Sequence, residues 1–312
     1  MVDGPPAIRG LRRRGCGRIR AGFFLVTFVY ASLDLLLPLR AAASPLRLRL
    51  APARVRQGGV TVLSIQSPTA LRMLRVQVGD REIRSPAPDG RARVVLLIGI
   101  DLEQPPGPVT VRAEAEDQSG RPLAGQRAVR VLDAHFPVQR LTVPRPFVEL
   151  DAATLERVGR EKAVLDHLWD VVTPEPLWRG SFRLPLDGAG PASGFGVRRI
   201  INGEPRAPHT GADFPAAAGT PVVAANAGVV ALVADHFFAG TSIILDHGLG
   251  LYTMYFHLQE SLVQPGQRAD AGQVIARAGR TGRATGPHLH WGARLYGARI
   301  DPRDLLRPLS LE

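Results

Sequence analysis

A chain of 312 residues, 45% of them hydrophobic, is long enough to form two domains that each have a core. Its net charge of +11 comes almost wholly from arginine, because Lys162 is the only lysine. The arginines are spread along the chain and interleaved with Asp and Glu, a distribution that does not favour nucleic-acid binding. Cys16 is the only cysteine, so an internal disulfide is excluded and a metal site would have to use His, Asp or Glu.

Residues 1–43 have the pattern of an export signal. Six arginines precede the apolar run "AGFFLVTFVYASLDLLLPL", and Ala41 and Ala43 after it form a small-x-small cleavage site. Asp34 inside the apolar run and the long basic region before it leave an uncleaved membrane anchor as the alternative. In either case we expect an exported protein of the periplasm or cell envelope, attached to the inner membrane only through an uncleaved N-terminus.

Residues 44–135 alternate apolar and polar residues in short segments separated by turn-forming stretches. The segments include "VTVLSIQS" and "LRVQVGD", and the turns include "QGG", "PAPDG" and "EQPPGP". This pattern predicts antiparallel strands joined by turns, and hence an immunoglobulin-like β-sandwich. His135 at its end is expected to be inert, and we expect the domain to serve for spacing, docking or cell-wall contact.

Residues 136–180 form a predicted linker that contains one helix. Asp151 can cap this helix, and apolar residues recur at helical spacing from Leu155 onward, with prolines at both ends. We therefore place the helix at about residues 152–171. His167 lies next to the apolar stripe and is expected to be a packed or surface residue, because no second ligand lies one turn away.

Residues 181–312 are rich in glycine, valine and alanine and contain many turns. Segments such as "TSIILDHG", "LYTMYFHL" and "HLHWGARLYG" are typical of buried or half-buried strands. The prediction is a compact antiparallel β-domain whose groove is walled by loops. Gly194, Gly196 and Arg198 are candidates for that wall, although turn geometry and surface charge explain them equally well.

The segment "TGPHLHWG" places two histidines on either side of one leucine. Alternate side chains of a strand face the same way, so His288 and His290 are expected on one face and Leu289 on the other. Two buried imidazoles on one face would be costly unless they bind something. The pair is therefore a candidate functional site.

The segment "HTGADF" contains His209 and Asp213 four residues apart, and Gly211 is expected to let the backbone turn or bulge so that the two side chains converge. One His, one Asp and one His from a distant strand make a set of three nitrogen and oxygen ligands. Such a set leaves the fourth tetrahedral position of a catalytic Zn²⁺ for water. Each motif is weak alone, but the two occur together in one glycine-rich β-domain with "YFHL" between them.

These motifs, together with "GFGVRR", "LDHGLGLYTMYFHL", "VQPGQRADAGQVIARAGRTGRATGPHLHWG" and "RIDP", resemble the lysostaphin-type (LytM-like) peptidoglycan zinc endopeptidases over residues 194–306. The resemblance implies a mainly β protein: an N-terminal immunoglobulin-like β-sandwich, a connecting helix, and a C-terminal antiparallel β-domain of the lysostaphin type over residues 181–312. It further implies one Zn²⁺ per chain, and peptidoglycan stem peptides and cross-links as the substrate.

Carried over residue by residue, the resemblance makes His209, Asp213 and His290 the zinc ligands. His257 and His288 then match the family's catalytic histidines, which lie beside the metal. The chain has no HExxH motif and so lacks the usual glutamate base. Either of these two histidines can be the general base, with the other near the oxyanion.

The remaining histidines of the domain have structural interpretations. His247 is expected to make a structural hydrogen bond after a strand, and His236 is expected in a loop near the groove. The alternative function is a catalytically inactive wall-binding regulator of other hydrolases, although such proteins usually lack some of the five site residues. A regulatory protein partner is a further expectation that the sequence does not exclude.

Overall fold

A computed structural model of the protein describes residues 44–83, 90–142, 149–188, 190, 192 and 194–308. The predicted export signal at residues 1–43 lies outside the described residues. Within the described part of the chain, no helix is long and apolar enough to cross a membrane. These residues are mainly β, as predicted.

Nine strands in two sheets form the predicted N-terminal β-sandwich. They are β1 Ser44–Pro45, β2 Arg47–Ala51, β3 Arg54–Arg56, β4 Val60–Gln66, β5 Leu71–Val78, β6 Arg81–Ile83, β7 Arg93–Gly99, β8 Gly107–Asp117 and β9 Pro122–Leu132. One sheet has the order β1-β9-β8-β5-β6, with β3 also on β9, and the other has the order β2-β4-β7. Burial alternates along β8, where Val111 and Ala113 lie in the core and their neighbours face outward.

The prediction of a wholly antiparallel sandwich is wrong at one edge. Strands β1 and β3 both pair with β9 in the parallel sense, whereas β2 between them pairs with β4 of the other sheet. Residues 44–56 thus advance in one direction along the edge and change sheets twice. The alternation of apolar and polar residues reports which side chains are buried, and it carries no information about strand direction.

The predicted connecting helix, α1, extends over Ala152–Trp169 and ends two residues before the predicted end. Its first turn is capped by Asp151, whose side chain accepts a hydrogen bond from the Thr154 N–H at 2.7 Å. Leu168 and Trp169 pack against the C-terminal sheet. Leu155 does not belong to the buried stripe, because its side chain is 57% exposed and only the C-terminal half of the helix covers apolar surface.

The remaining strands belong to the C-terminal half of the chain. They are β10 Val138–Leu141, β11 Arg198–Ile201, β12 Glu204–Arg206, β13 Gly211–Pro215, β14 Pro221–Val223, β15 Gly228–His236, β16 Gly240–Asp246, β17 Leu251–Ser261, β18 Arg268–Ala269, β19 Val274–Ala278, β20 His288–Leu295 and β21 Ala298–Ile300. A 3₁₀ helix follows at Pro302–Leu306.

The C-terminal domain is built on a nine-stranded sheet, antiparallel throughout as predicted, with the main order β13-β20-β17-β16-β15-β18. Strand β20 lies between β13 and β17, so side chains from three strands meet on its face. Trp291, Tyr255 and Phe214 are fully buried on these strands. A separate three-stranded sheet has the order β10-β11-β12, with β10 parallel to β11.

The sandwich packs directly on the C-terminal domain. The Arg299 guanidinium donates to the Asp101 carboxylate at 3.0 and 2.6 Å, a bidentate pair 198 residues apart in the chain. A Cβ atom added at Gly99 would lie 2.9 Å from Cγ2 of Ile300, so this glycine allows β7 and β21 to approach closely. The sandwich is therefore fixed to the domain that carries the candidate site.

His247 is buried, and it makes the structural hydrogen bonds that the sequence predicts. Its Nδ1–H donates to the Ala227 carbonyl at 2.7 Å, and its Nε2 lies 2.7 Å from Thr253 Oγ1. Burial lowers the pKa of this imidazole to about 4. The side chain is therefore neutral in the folded protein at neutral pH.

The lowered pKa of His247 predicts a loss of stability in acid. The unfolded chain has the ordinary pKa near 6.5 and takes up a proton first, so the free energy of unfolding should fall as the pH drops from 6.5 to 4. This group accounts for up to about 3 kcal/mol of that fall. Urea unfolding at pH 7.5 and 4.5 should show a smaller fall for His247→Gln than for the wild type. His167→Gln, on the exposed helix surface, is the control, and an unchanged fall in His247→Gln would contradict the assignment.

Candidate metal and catalytic site

Antiparallel pairing of β13 with β20 places Asp213 directly opposite His290. Facing Cβ atoms of such a pair are about 5 Å apart, which lets the two side chains touch. The Nδ1 atom of His290 lies 2.9 Å from Oδ1 of Asp213. His288 faces the same way, its Nε2 3.9 Å from that oxygen, while Leu289 is fully buried on the other face. The predicted alternation along "HLH" is confirmed.

His209, just before β13, completes a cluster of three potential metal ligands. Its Nε2 lies 3.2 Å from Oδ1 of Asp213, and its ring is nearly perpendicular to that of His290, with the centroids 4.7 Å apart. The ligand atoms of His209, Asp213 and His290 all lie within 4.8 Å of one another, close enough to hold one metal ion. Backbone hydrogen bonds to Val197 and Gly196 fix His209 on both sides.

Gly211 acts differently from the sequence prediction. It is the first residue of β13 and does not have a positive φ, so it makes no turn between His209 and Asp213. A Cβ atom at this position would lie 2.4 Å from Nε2 of His290 and 2.6 Å from the Trp291 carbonyl oxygen. The glycine therefore provides the space that the His290 ring occupies.

His257 reaches the site through a β-bulge. Ile243 pairs with Tyr255 and Thr241 with Leu258, so β17 carries one extra residue at this point. His257 has φ 61°, a left-handed conformation that is unfavourable for residues other than glycine. The bulge brings its ring to within 4.6 Å of the His288 ring, centroid to centroid.

Two hydrogen bonds hold His257 in this strained conformation. Its backbone N–H donates to the Ala239 carbonyl at 2.8 Å, and its Nδ1–H donates to the Thr281 carbonyl at 2.9 Å. The Nδ1–H of His288 donates to the Gly286 carbonyl in the same way, at 2.9 Å. When neutral, each of these imidazoles therefore has its proton on Nδ1 and an unprotonated Nε2.

The charges of the site suit metal binding at neutral pH. Burial alone would raise the pKa of Asp213, but hydrogen bonds from His209 and His290 outweigh it and hold this pKa well below the usual range. Burial lowers the pKa of His290, and it lowers the pKa of His257 to about 4. An ionised carboxylate beside neutral imidazoles is the protonation state that a metal requires of its ligands.

The donor set fits zinc. Two histidine nitrogens and a carboxylate oxygen are the ligands typical of catalytic zinc sites. In a tetrahedron with bonds of about 2.1 Å, neighbouring ligand atoms are about 3.4 Å apart. The observed separations of 3.2 and 2.9 Å from Oδ1 of Asp213 are near this value.

Helix α1 supports the groove through Glu161, a residue that sequence reasoning missed. The Glu161 carboxylate accepts the Phe237 N–H at 3.0 and 3.1 Å and the Arg157 Nε–H at 2.6 Å. Phe237 begins the turn that contains Phe238 and Ala239, which line the groove. In the sequence, Glu161 looks like any other exposed charge on a helix, and only the fold reveals its partner.

Replacing Glu161 by alanine should lower catalytic efficiency without unfolding the protein. The turn from Phe237 to Ala239 would lose its anchor, and with it the hydrogen bond that positions His257. The family resemblance implies a catalytic role for His257 and cross-linked muropeptides as the substrate. Small displacements of a catalytic group are costly, so on that expectation kcat/KM for these muropeptides should fall roughly tenfold. Glu156→Ala is the matched control, because among the described residues Glu156 pairs only with Arg160 on the same exposed helix surface. Equal activities of the two variants would contradict this role.

Two predictions about the groove need correction. His236 is the last residue of β15 and is buried, with Nδ1 3.1 Å from Ser242 Oγ, because the hairpin continues to the His236–Gly240 pair where a loop was expected. On β11, Arg199 lines the groove and the exposed Arg198 does not, since neighbouring residues of a strand face opposite ways. Gly194 does approach the site, and a Cβ there would lie 2.7 Å from Nδ1 of His209.

Comparison with known proteins assigns the C-terminal domain. Residues 207–302 match the family model of peptidase family M23. The chain therefore contains an M23 peptidase domain, which confirms the resemblance to lysostaphin-type peptidases inferred from the motifs.

Individual relatives agree with this assignment. The peptidoglycan DD-endopeptidase ShyA of Vibrio cholerae serotype O1 is 41% identical over 138 residues, which are 44% of this chain and 32% of the relative. The DD-carboxypeptidase/endopeptidase Mpg of Neisseria meningitidis serogroup B is 38% identical over 100 residues, 32% of this chain and 23% of the relative. The chain thus spans about a third or less of the length of these curated relatives.

A solved structure matches more of the chain. The crystal structure of an M23 family protein from Pseudomonas aeruginosa is similar with a TM-score of 0.59 and 29% sequence identity. The match covers 80% of this chain and 94% of that one, so it includes regions outside the M23 domain.

Proposed function

We propose that the protein is an exported zinc-dependent endopeptidase that hydrolyses the peptide cross-links of bacterial peptidoglycan. The observation that carries the proposal is the convergence of His209, Asp213 and His290 with two further histidines in one groove. The endopeptidase names of the relatives in the M23 domain support the reaction and the substrate. The proposal includes export, which rests on the pattern of residues 1–43 and on the location of peptidoglycan outside the cytoplasm.

In this proposal His209, Asp213 and His290 hold the zinc ion. When bound, zinc lowers the pKa of a water molecule towards 7 and polarises the carbonyl of the scissile peptide bond. The ionised Asp213 carboxylate would offset one of the two positive charges of the zinc ion. All other groups of the mechanism come from the chain itself.

His257 and His288 handle the protons. Each donates its Nδ1–H to a backbone carbonyl, so each presents an Nε2 lone pair to the groove. One accepts the proton of the attacking water at Nε2, and the resulting N–H can later protonate the leaving amine. The other takes up a proton from solvent at Nε2, and the N–H formed there donates to the oxyanion of the tetrahedral intermediate. The lowered pKa of His257 keeps this imidazole available as a proton acceptor at neutral pH.

Digestion of purified sacculi tests the proposal. The protein should release soluble muropeptides, stop when zinc is removed by a chelator, and recover when zinc is restored. Mass spectrometry of products from defined muropeptides identifies the bond that is cut. Binding to sacculi without any release, in a protein that takes up no zinc, would instead identify the inactive wall-binding regulator. No observation on the described residues supports a regulatory protein partner.

A further inference from the structure

Three arginines form a cluster beside the candidate catalytic groups. Arg199 on β11 and Arg206 on β12 are directly opposite each other in the antiparallel register, so their side chains lie on the same face. Arg283 precedes β20, and together with Arg199 it lines the groove that contains the five site residues. We call Arg199, Arg206 and Arg283 the arginine cluster.

The charges of the arginine cluster are not neutralised by the protein. Within the described part of the chain, none of the three arginines forms an ion pair with a carboxylate. Glu204, two residues before Arg206 on β12, does not pair with them either. Asp213, the acid that lines the same groove, is engaged by the histidines. Like charges directly opposite each other on two strands destabilise a sheet. The arrangement is therefore unfavourable unless an anion binds there.

Arg283 is held in place for such an anion. Its guanidinium lies over the ring of Phe238, 4.4 Å from the centroid, in a cation–π contact. Burial lowers the pKa of Arg283, and the charges of Arg199 and Arg206 lower it further. This contact restrains the Arg283 guanidinium, whose N–H groups can donate two parallel hydrogen bonds to a carboxylate.

We infer that the arginine cluster binds a free carboxylate of the peptide substrate close to the bond that is cut. The inference rests on the proposed function and narrows its substrate class to peptides that carry such a carboxylate near the cross-link. A carboxamide at the same place cannot neutralise the cluster and should bind less well. A substrate carboxylate held by the arginine cluster, beside the catalytic groups, would position the scissile bond against His257 and His288.

Two versions of one substrate test the inference. Cross-linked muropeptides would be used with their carboxylates free or converted to carboxamides, which leaves the cross-link unchanged. We expect kcat/KM of the wild type to be about tenfold or more higher for the free acid, because the hydrogen bonds to guanidinium are charge-assisted. Arg283→Gln and Arg199→Gln should each remove most of this preference by raising KM for the acid form alone. Arg283→Lys should restore part of it, since lysine retains the charge without the fork.

Arg268→Gln is the matched control, because it removes the same charge at an exposed position outside the groove. Equal rates of the wild type on both substrates would overturn the inference and leave the proposed function standing. An equal loss on both substrates in Arg283→Gln would also overturn it. If neither substrate is hydrolysed, the proposed function fails. Calorimetric binding of the two muropeptides then decides the inference, with tighter binding of the acid supporting it and equal dissociation constants refuting it.

Discussion

His290→Ala is expected to abolish both zinc binding and hydrolysis. The substitution removes the Nδ1 atom that lies 2.9 Å from Oδ1 of Asp213 and leaves only two of the three candidate ligands. Losing the metal would remove several kcal/mol of transition-state stabilisation, so we expect muropeptide release to fall by at least about 10³-fold. Metal analysis of the purified protein should find a zinc content near zero in the variant and near one per chain in the wild type.

Loss of packing must be separated from loss of the ligand. The His290 ring stacks on Phe256, with centroids 5.3 Å apart and planes 4° from parallel, so alanine leaves a space in the buried site. His290→Gln fills more of this space and should be as inactive, while its thermal unfolding stays closer to that of the wild type. Hydrolysis that persists in His290→Ala, or zinc that stays bound, would refute the assignment of this residue as a ligand.

His257→Ala is expected to remain a zinc protein that has lost its activity. The imidazole contributes no atom to the three-ligand cluster, yet its free Nε2 faces the groove. Removing a general acid–base group typically costs about 10² to 10⁴ in rate, and we expect kcat to fall in that range with little change in zinc content. A variant with wild-type kcat would exclude His257 from the chemistry.

His257→Gly provides a second variant that should fold well. Glycine adopts φ 61° without the cost that a larger residue incurs there, about 1 to 2 kcal/mol. This gain offsets part of the lost hydrogen bond to the Thr281 carbonyl. An inactive protein with near-native thermal stability would show that the strained histidine is retained for chemistry and not for folding.

The sequence was informative about the site where its geometry is local. The alternation of His288, Leu289 and His290 follows from the period of a strand and needs no knowledge of the fold. Their meeting with His209 and Asp213 depends on the pairing of β13 with β20 across 77 residues, and there the family motifs supplied what spacing could not.

Features that depend on the approach of distant segments could not be predicted. Gly211 was expected to let the backbone turn or bulge so that His209 and Asp213 converge. In the structure, the absence of a side chain at Gly211 leaves space for the His290 ring from another strand. The residues next to Gly211 in the sequence give no indication of that contact. The bulge at His257 also arises from the register between β16 and β17, which no single strand determines.

The contact between the sandwich and the C-terminal domain has a consequence for the order in which the protein folds. Asp101 and Gly99 are synthesised long before their partners Arg299 and Ile300, and Asp101 and Arg299 are 198 residues apart in the chain. Forming a contact between such distant residues is slow, because the chain loses the entropy of loop closure before the contact contributes any stability. The face of the sandwich that contacts β21 therefore stays exposed to solvent until this strand has formed. A chain interrupted before residue 298 would leave that face of its N-terminal domain uncovered.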